Sequence, residues 1–118
     1  MASYSRRLLS GSTSGKVIAV AATATPGTLI HTAVAGASAY DEIYLWASNV
    51  TGGAATLTLE WGGTSDPGEL VVKAVSIPAN SGPTPILVGQ VLNGGLNLRA
   101  FSGTANAINL SGFVNRIQ

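Results

Sequence analysis

The chain has 118 residues, no cysteine, a formal net charge of +1, and only 9% charged residues, against about 25% in ordinary soluble domains. That length makes one domain with a modest core and needs no covalent staples. The composition excludes disulfides and thiolate metal sites, and the near-neutral balance gives no electrostatic footing for nucleic acid or an acidic membrane surface.

Residues 1–15 read as a polar arm closing on Ser10-Gly11-Ser12-Thr13-Ser14-Gly15, a linker-like composition. An ordered arm needs a surface to lie on. One reading is a contact arm reaching a neighbouring subunit, with Tyr4, Arg6, Arg7, Leu8 and Leu9 as its partner-binding residues. The other is an arm folded back on its own domain. Ser5-Arg6-Arg7-Leu8-Leu9 faintly resembles a twin-arginine export signal, but polar Ser10 to Gly15 and then Lys16 interrupt the place of its apolar core. The uncharged run from Val17 to Tyr40 is long enough to cross a bilayer. Pro26-Gly27, several threonines, His31 and Gly36 make it a pair of strands instead.

From residue 16 to 118 the chain repeats short β-branched or alternating runs broken by Gly, Pro or Asn. Strands are expected over Lys16–Thr23, Thr28–Val34 and Glu42–Ser48. Thr51-Gly52-Gly53 then supplies the positive-φ positions of a tight hairpin. Leu57, Leu59 and Trp61 alternate with Thr56, Thr58 and Glu60, the signature of a half-buried strand. Gly62–Gly68 is a loop and Glu69–Ile77 a strand. Pro78–Pro85 reads as a longer loop whose prolines exclude a central strand. Pro85–Leu92 follows, then Asn93-Gly94-Gly95 as a second hairpin signal, the alternating Leu96–Ser102, a turn at Gly103–Asn106 and a last strand, Ala107–Ile117. In that strand the apolar phase slips from Ile108 and Leu110 to Phe113 and Ile117, which a bulge at Gly112 would explain. About eight strands at 8–12-residue spacing, with no helical segment, predict an all-β domain: an eight-stranded, jelly-roll-like β-sandwich with an extended N-terminal arm.

The chain offers little to chemistry. His31 is its only histidine and lies in an apolar strand, as a packed or surface-polar residue. A Ser, His31 and Asp41 triad can be written, but no Gly-x-Ser-x-Gly elbow accompanies it. Asp41 and Glu42 are adjacent, so in a strand they point to opposite faces and share neither a proton nor a metal; they are expected to solvate the strand's start. Glu60, Asp66 and Glu69 flank one loop and would make at most a weak divalent-cation site. Gly62-Gly63 and Gly94-Gly95 open no helix and cradle no phosphate. Asn49-Val50-Thr51 matches a glycosylation sequon, which carries meaning only in a secreted protein. No catalytic residue, cofactor or metal is expected. Trp46, Trp61 and Tyr44 are the material for a sugar-stacking platform, although Trp61 shares the apolar face of Leu59 and is expected in the core.

With so few charges, either Ser, Thr, Asn and Gly solvate the surface or other chains cover part of it. Three segments favour covering through a resemblance: Tyr40-Asp41-Glu42-Ile43-Tyr44-Leu45-Trp46, Thr56-Leu57-Thr58-Leu59-Glu60-Trp61-Gly62-Gly63, and Ser111-Gly112-Phe113-Val114-Asn115-Arg116-Ile117. Together they resemble small β-rich proteins of tailed-bacteriophage virions, over most of residues 16–117. The resemblance implies a capsid decoration (cement) protein, or another small virion component of tail, fibre or adaptor type. It implies the virion, assembled in the host cytoplasm, as its location, and the major capsid protein or another virion protein as its partner. It also implies a homo-oligomer, a trimer foremost because capsid lattices offer threefold sites. It assigns no functional residue.

Overall fold

The computed structural model describes residues 3–118, which form nine strands and two antiparallel sheets in a β-sandwich-like arrangement. In chain order they are β1 (Tyr4–Leu8), β2 (Ile18–Ala19), β3 (Thr28–Thr32), β4 (Tyr40–Asn49), β5 (Ala55–Trp61), β6 (Leu70–Ile77), β7 (Ser81–Leu92), β8 (Asn97–Ser102) and β9 (Ile108–Ile117). The first sheet runs β1-β9-β4-β7, with β2 also on β9; the second runs β3-β8-β5-β6. The pairs β2·β9, β3·β8, β4·β7 and β5·β6 nest inside one another along the chain. The chain from Ile18 onward is thus one long hairpin bent back and forth between two sheets.

Alternation builds the core. In β4, Ile43, Leu45 and Ala47 point inward; in β5, Leu57 and Leu59; in β8, Leu98 and Ala100; in β9, Ile108, Leu110 and Val114. A strand's side chains alternate in direction, so one apolar phase per strand suffices to glue two sheets.

Several expectations need correction. Nine strands are formed because residues 4–8 make a further one: they pair along β9 of their own chain, the folded-back alternative for the arm. Leu9 enters the core and Gly11 donates its N–H to the Ile30 carbonyl. A Cβ on Gly11 would meet the Leu29 and Ile30 carbonyls, so only glycine lets the segment lie so close to β3. The expected strand over Lys16–Thr23 shrinks to Ile18–Ala19, because Val20 and Ala22 bond instead to Ile108, Asn106 and Ser102 around the β8–β9 turn.

Neither glycine turn closes a hairpin. Thr51-Gly52-Gly53 carries the chain from β4 in the first sheet to β5 in the second, and Asn93-Gly94-Gly95 carries it from β7 to β8. Gly94 and Gly95 do hold positive φ, 69° and 70°, but the turn they make is an arch between layers. Pro83 and Pro85 lie inside β7 instead of in a loop. β7 is the edge of its sheet, the position where strands tolerate proline. At Gly112 there is no bulge: β9 pairs with β4 without a break from Ile108 to Ile117. The inward phase simply continues through Gly112 to Val114 and Arg116, while Phe113 belongs to the outer face. A Cβ at Gly112 would run into the Tyr44 carbonyl, so the residue marks a close backbone approach.

Candidate interaction surface

The inward phase of β4 begins with a charge. Asp41 shares the face of Ile43, Leu45 and Ala47 and is fully buried, in place of the solvated position expected for it. β9 delivers Arg116 beside it: Nε donates to Oδ1 at 2.7 Å and Nη2 to Oδ2 at 3.0 Å. The third partner comes from the opposite sheet. A bulge in β3 between Leu29 and His31 turns His31 inward, where Nε2 lies 2.8 Å from Asp41 Oδ2. The Ser10 N–H donates to His31 Nδ1 at 3.0 Å, so Nδ1 is the acceptor and Nε2 carries the proton donated to Asp41. The Val34 N–H completes the set at 3.2 Å. Burial pushes the Asp41 carboxyl up, but the hydrogen bonds from Arg116 and His31 and the Arg116 charge outweigh it and hold the group below the ordinary value. The same carboxylate raises Arg116.

This arrangement fastens; it does not activate a nucleophile. The lone pair with which His31 would take a hydroxyl proton is bound by an amide, and Ser10 Oγ accepts from the Thr32 N–H instead, at 2.6 Å. The group ties together the N-terminal segment, both sheets and the last strand.

The loop carboxylates do not converge. Glu60 is fully buried beneath Thr25-Pro26-Gly27, accepting from Thr25 Oγ1 and the Gly27 N–H, each at 2.6 Å. Asp66 pairs with exposed Lys73, and Glu69 accepts from the Ser65 N–H. Among the described residues no three His, Cys, Asp or Glu side chains gather as a metal site, and no helix is long and apolar enough to cross a membrane. Asn49 is buried too: its amide donates to the Gly53 and Ile77 carbonyls while Oδ1 accepts from Thr51. The sequon is the local bonding of a turn.

The outer face of the first sheet carries the chain's cluster of aromatic side chains. Directly paired residues stand on one face, so the register gives its rows. Tyr4, Ile117 and Tyr40 form one row, then Arg6, Asn115, Glu42 and Val91. Leu8, Phe113, Tyr44 and Val88 form the next, followed by Ser111, Trp46 and Pro85. The Tyr44 and Phe113 rings stack at 4.9 Å, Trp46 joins Phe113 at 6.0 Å, and the Arg6 guanidinium lies 4.4 Å over the Phe113 ring. Around this half-buried cluster Tyr4, Leu8, Val88 and Val91 are each more than half exposed. Apart from the row of Arg6, Asn115 and Glu42 the face is mostly apolar, and exposed apolar patches are candidate sites for another surface.

The arm residues divide accordingly. Tyr4, Arg6 and Leu8 stand on this face, Arg7 is exposed on the alternate phase of β1, and Leu9 is in the core, unable to offer itself to a partner. Trp61 is half-buried against the core, as its phase implies. The sequence pairs His31 with Asp41 only as members of a catalytic triad and misses Arg116, though a signal exists: Asp41 and Arg116 each extend the apolar phase of their strand.

No family model, curated protein or solved structure matches the chain.

Proposed function

We propose that the chain is a structural protein of a tailed-bacteriophage virion, a head decoration (cement) protein that binds where capsid subunits meet. The observation that carries this reading is that a chain with too few charges to solvate itself in the usual way also leaves apolar side chains exposed on both sheets, Leu29, Val71 and Val75 on the second among them. Its work is thermodynamic: a protein that binds the assembled shell better than free subunits stabilises the shell by linkage.

The fold is read as a jelly roll, in which β2 to β9 are the eight strands of the nested hairpin and β1 is an addition along β9. That architecture recurs in viral capsid proteins and in lectins, a fold-level analogy that supports the reading without assigning a partner.

The test is co-sedimentation of the purified protein with assembled phage heads from its own source, followed by thermal disruption of those heads. Saturable binding and a higher disruption temperature are expected. Heads that neither retain the protein nor gain stability overturn the proposal. In the alternative, a tail, fibre or adaptor component holds a glycan on Trp46 and Tyr44; the stacking of these rings on Phe113 occupies faces a sugar would need. Glycan-array binding lost in Trp46→Ala would favour it.

A further inference from the structure

Among the described residues only two charged side chains occupy the ladder positions of the outer face, Arg6 on β1 and Glu42 on β4, and they have opposite sign. They lie in one row, on either side of Asn115 in β9. A twofold axis running along β9 exchanges the flanking strands, so it lays Arg6 of one copy on Glu42 of the other, and Glu42 on Arg6. It also brings the two Phe113 positions together, each ring beneath its own Arg6 guanidinium, and sets Leu8 against Tyr44. Rotation about an axis along the row sets Arg6 near Arg6 instead, so the charges select the first axis.

Resting on the reading of this face as an assembly surface, we infer that a second copy of the chain covers it, the two copies related by a twofold along β9. The pairing is isologous, each contact occurring twice. The packed sheets stand about 10 Å apart, a gap that an arginine and a glutamate from opposite sides close between them. At ~4.8 Å between strands and ~3.4 Å per residue, β9 with the five-residue overlaps of β1 on β4 presents on the order of 300 Å² in projection. That is below the roughly 800 Å² per partner of a tight complex, which is why a dimer of micromolar strength is expected. The assembly unit is then a pair, in place of the trimer expected from capsid lattices.

The test is analytical ultracentrifugation of the full chain from about 1 to 200 µM, with charge-swap variants. The wild type is expected to dimerise in the micromolar range. Arg6→Glu and Glu42→Arg each weaken the dimer at least tenfold, because like charges then face each other twice. Mixing the two single variants restores a heterodimer, and the double variant R6E/E42R restores a homodimer. Recovery of that kind separates a direct contact from damage to the fold, which circular dichroism of each variant checks independently. A wild type that stays monomeric, forms trimers, or dimerises regardless of these charges overturns the inference. Adding assembled heads separates the two proposals: a monomer that decorates heads sinks the pairing alone, and a dimer that ignores them supports the pairing while sinking the decoration role.

Discussion

His31 and Asp41 meet across the space between the two sheets, imidazole Nε2 2.8 Å from carboxylate Oδ2, both essentially without solvent exposure. The bond joins β3 of one sheet to β4 of the other, and Arg116 secures the same carboxylate from β9. A buried ion pair contributes little over a well-packed apolar substitute, but losing one member strands the rest.

Asp41→Ala is therefore expected to cost about 3–5 kcal/mol, by leaving the Arg116 guanidinium and the His31 N–H without their acceptor. Urea titration followed by tryptophan fluorescence measures it. Arg116→Met together with Asp41→Leu should cost much less than Asp41→Ala alone, since both charges then leave the interior.

Acid sensitivity follows from the same carboxylate. Its folded-state pKa lies below the ordinary value, so the unfolded chain binds the proton more readily. Its contribution is fully present above the unfolded value of about 3.9 and is lost as pH falls through the lower folded value. Stability measured from pH 6 down to pH 2 should fall more steeply at the acid end in the wild type than in Asp41→Asn. Parallel curves would show that other groups govern acid unfolding.

Gly112→Ala should destabilise by about 2–3 kcal/mol or block folding, because the new methyl meets the Tyr44 carbonyl within the central ladder. Gly52→Ala is the control. Its new methyl would have no neighbour within 4 Å, and the thermal midpoint should stay within roughly a degree or two of wild type.

Leu9→Ala is expected to cost about 2–5 kcal/mol through the cavity it leaves. Removing residues 1–7 keeps Leu9 and Ser10 in place, so that truncated chain should still unfold cooperatively. Removing residues 1–15 takes away Leu9 and the Ser10 amide on His31 as well, and should lower stability by more than the shorter deletion. Thermal melts of the two truncations decide between an appended arm and an integral segment.

Glu60→Ala should free Thr25-Pro26-Gly27 from the second sheet at a cost of about 1–3 kcal/mol. Hydrogen exchange reads this directly: the Gly27 amide loses protection, while amides of β4 and β9 keep theirs.

Much of the fold is legible where a residue's chemistry acts locally. Leu57, Leu59 and Trp61 announce β5 by alternation alone, and Gly94 and Gly95 announce positive φ. Turn chemistry, however, fixes only the bend; it does not say whether the next strand rejoins its own sheet or crosses to the other, so both glycine turns read as hairpins and prove to be arches. The prolines of β7 correctly exclude a central strand, but an edge strand satisfies the same constraint. The outer face of the first sheet is half legible. Tyr44 and Trp46 share a phase in β4, yet Phe113 and Arg6 join them only through pairing across β9. Asp41 and Arg116 are separated by 75 residues: the apolar phase of each strand marks the side chain as inward, but only long-range register brings the two together.

The irregular edge at β7 limits how this molecule can grow. Pro83 and Pro85 offer no N–H, three register breaks interrupt the strand's match to β4, and Gly89 holds φ at +99° beneath the Tyr44 hydroxyl. An incoming strand finds no uniform row of donors and acceptors to copy. Strand-by-strand extension of the first sheet past β7 is therefore disfavoured.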